Sequence, residues 1–292
     1  MAIYDKNGQS LYVVYGKDGS ALTHAYDKSG NLLYVAEPTT LKVMTYNVGG
    51  WYIGSGRNVP AAYKNSYYAL QTGMIENNDP DILFINEYLE EFSDDGTSAL
   101  TMLQSLFPYV YAIPSGTYFG RVFCSKYPLT GYEHHYYTNE TSRYYDSIVV
   151  TVEGLQITLV VTHLSTNSRR IAQTTELISY LNTLDYFICA GDLNTNEARD
   201  TTGQDYIDVI VPLLNAGFNL ANNSTFGFFD TYFDETSSNP NVEGGWAGCL
   251  DNIITSSNIP ITSVTVDTTK RTDSLSQKTD HMPLIATINV YA

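Results

Sequence analysis

The chain has 292 residues and a mass of 32.5 kDa, with 43% apolar and 16% charged residues, a composition that excludes a disordered tail. Lys and Arg number 15 against 31 Asp and Glu, giving a formal net charge of −16 and a pI near 4.5. That balance excludes a basic domain held on nucleic acid by bulk charge, but not an enzyme that reaches phosphate through a bound cation.

The first 36 residues repeat with an 11-residue period: Tyr4/Tyr15/Tyr26, Lys6/Lys17/Lys28, Gly8/Gly19/Gly30 and Leu11/Leu22/Leu33 recur in phase. Each unit places a D-K-x-G-like turn before a short β-prone run, and glycine there can adopt the positive φ of a tight turn. Residues 1–37 are therefore expected to form a short repetitive β meander. It is too small to be stable alone, so it should dock on the main domain, another copy of itself, a protein partner or a larger assembly. No basic start followed by an apolar run is visible, so no signal peptide is expected. No apolar stretch approaches the ~18 residues of a membrane span. The chain reads as cytoplasmic by default, with virion or surface association as the alternative.

Glu37–Thr40 reads as a linker, and residues 41–292 as one catalytic-size domain. Strands are expected at Leu41–Tyr46, Ile82–Asn86, Arg121–Ser125, Ser147–Val152, Gln156–Thr162, Tyr186–Ala190, Leu250–Thr255, Ile261–Val266 and Leu284–Val290. Most are β-branched and almost continuously apolar, the texture of strands covered on their faces. Helices are expected at Ala61–Glu76, Ser98–Phe107, Arg169–Leu184 and Asp205–Ala216; in the third, Ile171, Leu177, Ile178, Leu181 and Leu184 fall near one stripe. Strands outnumber helices about two to one. This suggests an α/β fold in which two mixed sheets pack face to face with helices outside, a four-layer α/β/β/α sandwich. Cys124, Cys189 and Cys249 are odd in number and are expected to be buried free thiols of a reducing compartment.

Polar residues gather where the strands end. Six such points stand out: Asn47, closing M-T-Y-N-V; Glu87, closing D-I-L-F-I-N-E; His163, closing L-V-V-T-H-L; Gly191-Asp192-Leu193-Asn194; Asp251-Asn252; and Asp280-His281. Glu87, Asp192, Asp251 and Asp280, with Asn47 and Asn194, form an oxygen-rich set suited to a hard divalent cation, Mg²⁺ or Mn²⁺, rather than zinc. Carboxylates gathered without a cation would repel one another and hold protons more tightly.

In this order, the six motifs resemble those of the endonuclease/exonuclease/phosphatase superfamily, which includes pancreatic deoxyribonuclease and the exonuclease-III-like abasic-site endonucleases. The resemblance covers residues 41–292, with G-D-x-N at 191–194 and D-H at 280–281 its most specific pieces. It implies the four-layer sandwich and metal-dependent phosphodiester hydrolysis. It further implies Glu87 as principal metal ligand with Asn47 and Asp280, and Asp192 as the residue that orients and deprotonates water. Asn194 would hold the phosphate or that water, His281 would donate to a phosphoryl oxygen with Asp251 bonded to it, and His163 would assist at the leaving group. One departure concerns Gly120–Leu129, where Arg121 stands at a usual Asn and no acid is present to partner His163. Arg121 is expected either to contact phosphate or to cap its strand. Arg143, Arg169 and Arg170 are further candidates for phosphate contact, against the alternative of solvated charge.

Two long aromatic loops, Trp51–Tyr68 and Tyr132–Tyr145, could stack on bases. The leading expectation is a nuclease cutting DNA with little sequence preference. A phosphoesterase for lipid headgroups, inositol phosphates or nucleotides is second, and a non-catalytic binding protein on the same fold is third. Residues 79–95 carry seven acids and no Lys or Arg, and residues 185–251 carry eleven acids and one Arg, so the net charge is concentrated around the expected cation site. Nucleic acid would then be held weakly, through the divalent ion more than through many phosphate contacts.

Overall fold

A computed structural model describes residues 38–52, 61–90, 98–113, 120–234, 246–269 and 281–291, together with four short strands nearer the N-terminus. Those four, β1 (Ile3–Tyr4), β2 (Ser10–Leu11), β3 (His24–Tyr26) and β4 (Leu32–Val35), pair as β1 with β2 and β3 with β4, both antiparallel. The rest of the repeat segment, 1–37, lies outside the described residues.

The main body begins with β5 (Thr39–Asn47), helix α1 (Ala61–Asn78), β6 (Ile82–Tyr88), α2 (Ala99–Leu106), β7 (Tyr109–Ile113) and β8 (Gly120–Ser125). Then come β9 (Leu129–Tyr137), β10 (Glu140–Val152), β11 (Leu155–His163), α3 (Arg169–Leu181), β12 (Phe187–Asp192) and α4 (Val211–Asn215). It ends with β13 (Asn219–Leu220), β14 (Tyr232–Asp234), β15 (Trp246–Gly248), β16 (Asp251–Thr255), β17 (Ile261–Val266) and β18 (Leu284–Val290). One six-stranded sheet runs β17-β18-β5-β6-β8-β7 and the other β13-β16-β12-β11-β10-β9. Each holds a parallel pair joined through a helix, β5–α1–β6 and β11–α3–β12, among antiparallel neighbours. The expected two mixed sheets with helices outside are present.

Residue parity explains why the strands read as unbroken apolar runs. In β6, Ile82 and Phe84 face the other sheet while Leu83 and Ile85 pack outward with Met74, Ile75 and Leu103. In β11, Ile157, Leu159 and Val161 face inward while Val160 packs outward with Leu177 and Leu181 of α3. Both faces are dry, so both parities must be apolar. All three cysteines are free and buried.

Several expectations need correction. Tyr132–Tyr145 is not a loop: it forms the end of β9, a two-residue turn and the start of β10. β9 is an edge strand with mostly exposed residues, so His, Glu and Tyr replace the apolar letters that mark the inner strands. Of Trp51–Tyr68, residues 51–52 end a short 3-10 turn, 61–68 lie in α1, and 53–60 lie outside the described residues. Ile171 sits 41% exposed rather than on the buried stripe of α3. The single helix expected over Asp205–Ala216 is a π-turn at Tyr206–Ile210 followed by α4. Pro212 has no N–H to donate to the carbonyl four residues back, and the preceding N–H, that of Val211, reaches back to Tyr206 O instead.

Candidate active site

The same parity that builds the core delivers the polar residues. Asn47 continues the inward series Leu41 and Val43; His163 continues Ile157, Leu159 and Val161; Asp192 continues Ile188 and Ala190; Asp251 precedes Ile253. All four lie at strand ends, so the inward face changes from dry core to polar cleft within one residue pair. The registers align them: His163 pairs with Asp192, and Asp192 with Asp251.

Glu87 reaches the cleft by a different device. The β6–β8 ladder slips between Asn86 and Tyr88, and Glu87 sits in that bulge at φ 54°. A bulge re-aims one side chain and increases local twist. Gly120 makes it feasible, because a Cβ there would lie 2.4 Å from the Tyr88 carbonyl oxygen. Gly191 has φ +142°, and a Cβ would lie 2.0 Å from the Thr162 carbonyl oxygen. The glycine of G-D-x-N is thus required by the close approach of β11. Beneath the cleft, Asn86 Nδ2 donates to Thr162 O at 2.9 Å and ties the two sheets together.

The polar network is continuous. Asn47 Nδ2 donates to Glu87 Oε1 at 3.1 Å and to Asp192 Oδ2 at 3.0 Å, while its Oδ1 accepts from Gly49 N–H. Asn47 therefore presents its amino group to the carboxylates, and ligation through Oδ1 would require the amide to be reversed. His163 Nε2 lies 3.5 Å from Asp192 Oδ2 and 4.0 Å from Glu87 Oε1. His281 Nδ1 is 2.8 Å from Asp251 Oδ2, and its Nε2 is 3.6 Å from Asp192 Oδ2. Asn194, at φ 54°, donates its backbone N–H to Asp192 Oδ1 at 2.8 Å and its side-chain amino group to Leu164 O. Asp280 lies outside the described residues.

Burial sets the electrostatics. It raises Asp192 to about 7 against the pull of His281, with Asp251 and Glu87 adding to the rise. It pushes His163 well below the usual histidine value, helped by the positive charges of Arg143 and Arg121 and by His281. Among the described residues, Asp251 Oδ1 is buried without a hydrogen-bond partner. Among the described residues, two triads of ligand atoms converge within 4.8 Å, Glu87–His163–Asp192 and Asp192–Asp251–His281. Crowded carboxylates, an orphaned carboxylate oxygen and an acid driven toward its neutral form together fit a hard divalent cation.

The arginines separate. Arg121 is 1% exposed, and its guanidinium spans the sheets to Asp146 at 3.3 Å and lies 3.7 Å over the Tyr144 ring. It is an interior residue, neither a surface phosphate contact nor a strand cap. Arg170 is bonded to the Asp205 carboxylate and to the carbonyls of Asn194 and Thr166, so its charge is used within the fold. Arg169 is exposed beside Glu140. Arg143 is half-buried, and its charge acts on Asp192, Glu87 and His163. Among the described residues, His163 has the carboxylates of Glu87 and Asp192 within 4.0 Å. The buried acid of this region, Asp146, is on β10 rather than β8 and is bonded to Arg121, Tyr132 and His134. Sequence reasoning missed Asp146, Asn86 and Tyr144; for Asp146, a lone acid within the apolar-aromatic run Y-Y-D-S-I-V-V was the available signal.

Two mixed six-stranded sheets with helices outside them are the fold that the sequence resemblance implies. Residues 44–281 match the family model described as the Endonuclease/Exonuclease/phosphatase family, and the chain belongs to that family. No curated protein matches the sequence. Among solved structures, truncated Caenorhabditis elegans TDP2 is 20% identical, with TM-score 0.63 over 86% of this chain and 98% of that one. D. rerio TDP2 complexed with a single-strand DNA product is 16% identical, with TM-score 0.59 over 86% and 100%. A family member from Beutenbergia cavernae is 16% identical, with TM-score 0.58 over 86% and 72%. Likeness at this identity reports the shared fold. Among the described residues, no helix is long and apolar enough to cross a membrane.

Proposed function

We propose that the protein is a divalent-metal-dependent phosphodiester hydrolase acting on nucleic acid, with DNA as the leading substrate. The observation that supports this best is the position of Asp192, which lies within 3.6 Å of both His163 and His281 and shares Asn47 with Glu87. That a similarly folded TDP2 was crystallised with a single-strand DNA product is consistent with the substrate class.

Glu87, with Asp280 and a reversed Asn47, would hold Mg²⁺ or Mn²⁺. The bound ion supplies neutralisation of the gathered acids and of charge developing on the phosphoryl oxygens. Asp192 orients water and takes its proton as the new P–O bond forms. Asn194 holds the Asp192 carboxylate through its backbone N–H and steadies the loop that follows it. His281, positioned through Nδ1 by Asp251, directs Nε2 toward a phosphoryl oxygen. His163 would assist at the departing oxygen, and Arg143, whose charge acts on Asp192 and Glu87, and the exposed Arg169 would contact phosphate. The N-terminal repeats would tether this domain to a protein partner or a larger assembly.

The test is cleavage of supercoiled plasmid, single-stranded oligonucleotide, RNA and sphingomyelin in Mg²⁺ or Mn²⁺, with Asp192→Ala and His281→Ala as controls. Each substitution should lower nucleic-acid cleavage by a factor of ~10² or more. Nicking that persists in both variants, or turnover confined to the lipid, overturns the assignment.

A further inference from the structure

The row that carries the site does not end at His163. Tyr145 pairs with Thr162, which places Tyr144 beside His163 one strand further out, and Tyr144 pairs with Tyr136 on the edge strand β9. Residues opposed in a ladder share a face. Asp251, Asp192, His163, Tyr144 and Tyr136 therefore form one line across the second sheet, all on the side facing the cleft. Strands are about 4.8 Å apart, so Tyr136 stands about 10 Å from His163, a distance of one to two nucleotides.

Tyr136 differs from an incidental surface aromatic in three respects. It is 62% exposed although it lies on the inward-facing parity. Its ring is buttressed edge-on by His134, at 4.5 Å between centroids and 86° between planes. His134 is itself held, with Nδ1 at 2.6 Å from the buried carboxylate of Asp146. Behind Tyr136 stands Tyr144, with ring centroids 6.4 Å apart, and the Arg121 guanidinium lies on that second ring. The Arg121–Asp146 pair thus anchors an aromatic support whose outermost face is presented beside the reacting centre.

We infer that Tyr136 is a base-stacking residue, receiving the nucleobase of a nucleotide next to the scissile phosphate, and that it favours substrates whose base there is unpaired. The inference rests on the nucleic-acid reading of the site given above. A ring held rigidly at the sheet edge offers a π-face to any base, so the contact would be indifferent to sequence. A base still paired within a duplex cannot lie flat on it.

The experiment is a cycle. Wild type, Tyr136→Ala and Tyr136→Phe are assayed in Mg²⁺ or Mn²⁺ on a single-stranded oligonucleotide, and on the same oligonucleotide with one abasic residue moved stepwise through the positions flanking the cut. Tyr136→Ala should raise KM on the intact strand about tenfold with kcat within about twofold, and Tyr136→Phe should restore wild-type KM. Wild type should show a similar rise in KM when the abasic residue reaches one particular flanking position, and Tyr136→Ala should be insensitive to it. A structural role would not be cancelled by removing a base. Additive effects in the cycle, or equal loss on duplex and single strand, overturn the stacking role and leave the nuclease reading intact. Absence of any cleavage by wild type overturns the nuclease reading and this inference with it.

Discussion

Gly191→Ala isolates the geometric demand that the G-D-x-N turn makes. Gly191 pairs with Thr162 in the parallel β11–β12 ladder at φ +142°, and a Cβ would lie 2.0 Å from Thr162 O and 2.8 Å from Asn86 Oδ1. The carbonyl cannot retreat freely, because β11 is held between β10 and β12 and Thr162 O accepts from Asn86 Nδ2. Backbone strain of about 1–3 kcal/mol and forced repacking of about 1–3 kcal/mol combine to an expected loss of about 2–6 kcal/mol. Urea unfolding should show a lower midpoint with an unchanged slope. Because Asp192 is the next residue, cleavage should also fall in preparations that remain folded. A loss below about 1 kcal/mol, within the range of an ordinary compatible Gly→Ala change, would refute the close-approach argument.

Glu87→Gly should abolish cleavage yet raise stability by about 1 kcal/mol, since glycine adopts φ 54° without strain and one crowded carboxylate is removed; an unchanged or lower Tm would contradict this. Arg121→Met should destabilise by about 3–5 kcal/mol because Asp146 stays buried without its guanidinium, and Arg121→Met with Asp146→Asn should be less damaging than the single change in a denaturation cycle. With Asp192 raised to about 7, the folded metal-free protein keeps a proton that the unfolded chain releases near pH 4, so this group's contribution is greatest at low pH and falls as pH rises toward 7. In chelator, Asp192→Asn should therefore raise Tm by several degrees at pH 8 and by little at pH 4, whereas a pH-independent difference would show that Asp192 is ionised throughout. His163 acts in the opposite sense, its contribution being complete above about pH 6.5 and lost as pH falls, and comparing variant with wild type at each pH removes it.

What the sequence made legible followed from burial on both faces. Inner strands such as Ile82–Tyr88 and Phe187–Asp192 have uninterrupted apolar runs, so their existence and their polar ends could be read directly. Edge strands β7 and β9 are largely half-exposed or exposed, so Tyr109–Ile113 and Leu129–Tyr137 lack the texture of strands buried on both faces. At the site, Asn47, His163, Asp192 and Asp251 were legible because each closes or opens an apolar strand, and His281 because it lies three residues before one. The Arg121–Asp146 pair was not, since two buried charges on different sheets carry no spacing signal and only the folded registers bring them together. Arg170 was misjudged for a related reason: its partner Asp205 lies 35 residues away in another element.

The position of these residues reconciles two opposed requirements. Glu87 and Asn194 each hold φ 54°, Gly191 lies against a carbonyl, and Asp192 and Asp251 are 1% exposed, so the site carries several unfavourable terms at once. At about 1–3 kcal/mol each, their sum is comparable with the ~5–15 kcal/mol net stability of a typical domain. A fully buried Val, Leu, Ile or Phe contributes about 1.5–3 kcal/mol, and the inter-sheet cluster offers many. That stabilisation is available only where the packing stays dry. Moving a carboxylate back one step of the same parity, to Val161 or Ala190, would place it among Leu159, Ile188 and Ile253 and remove the packing that sustains the strain. At the last residue of β5, β11 and β12 and the first of β16, the side chain keeps the inward direction yet leaves the apolar layer. Strand ends are where a convergent acidic cleft and an intact core can coexist in this fold.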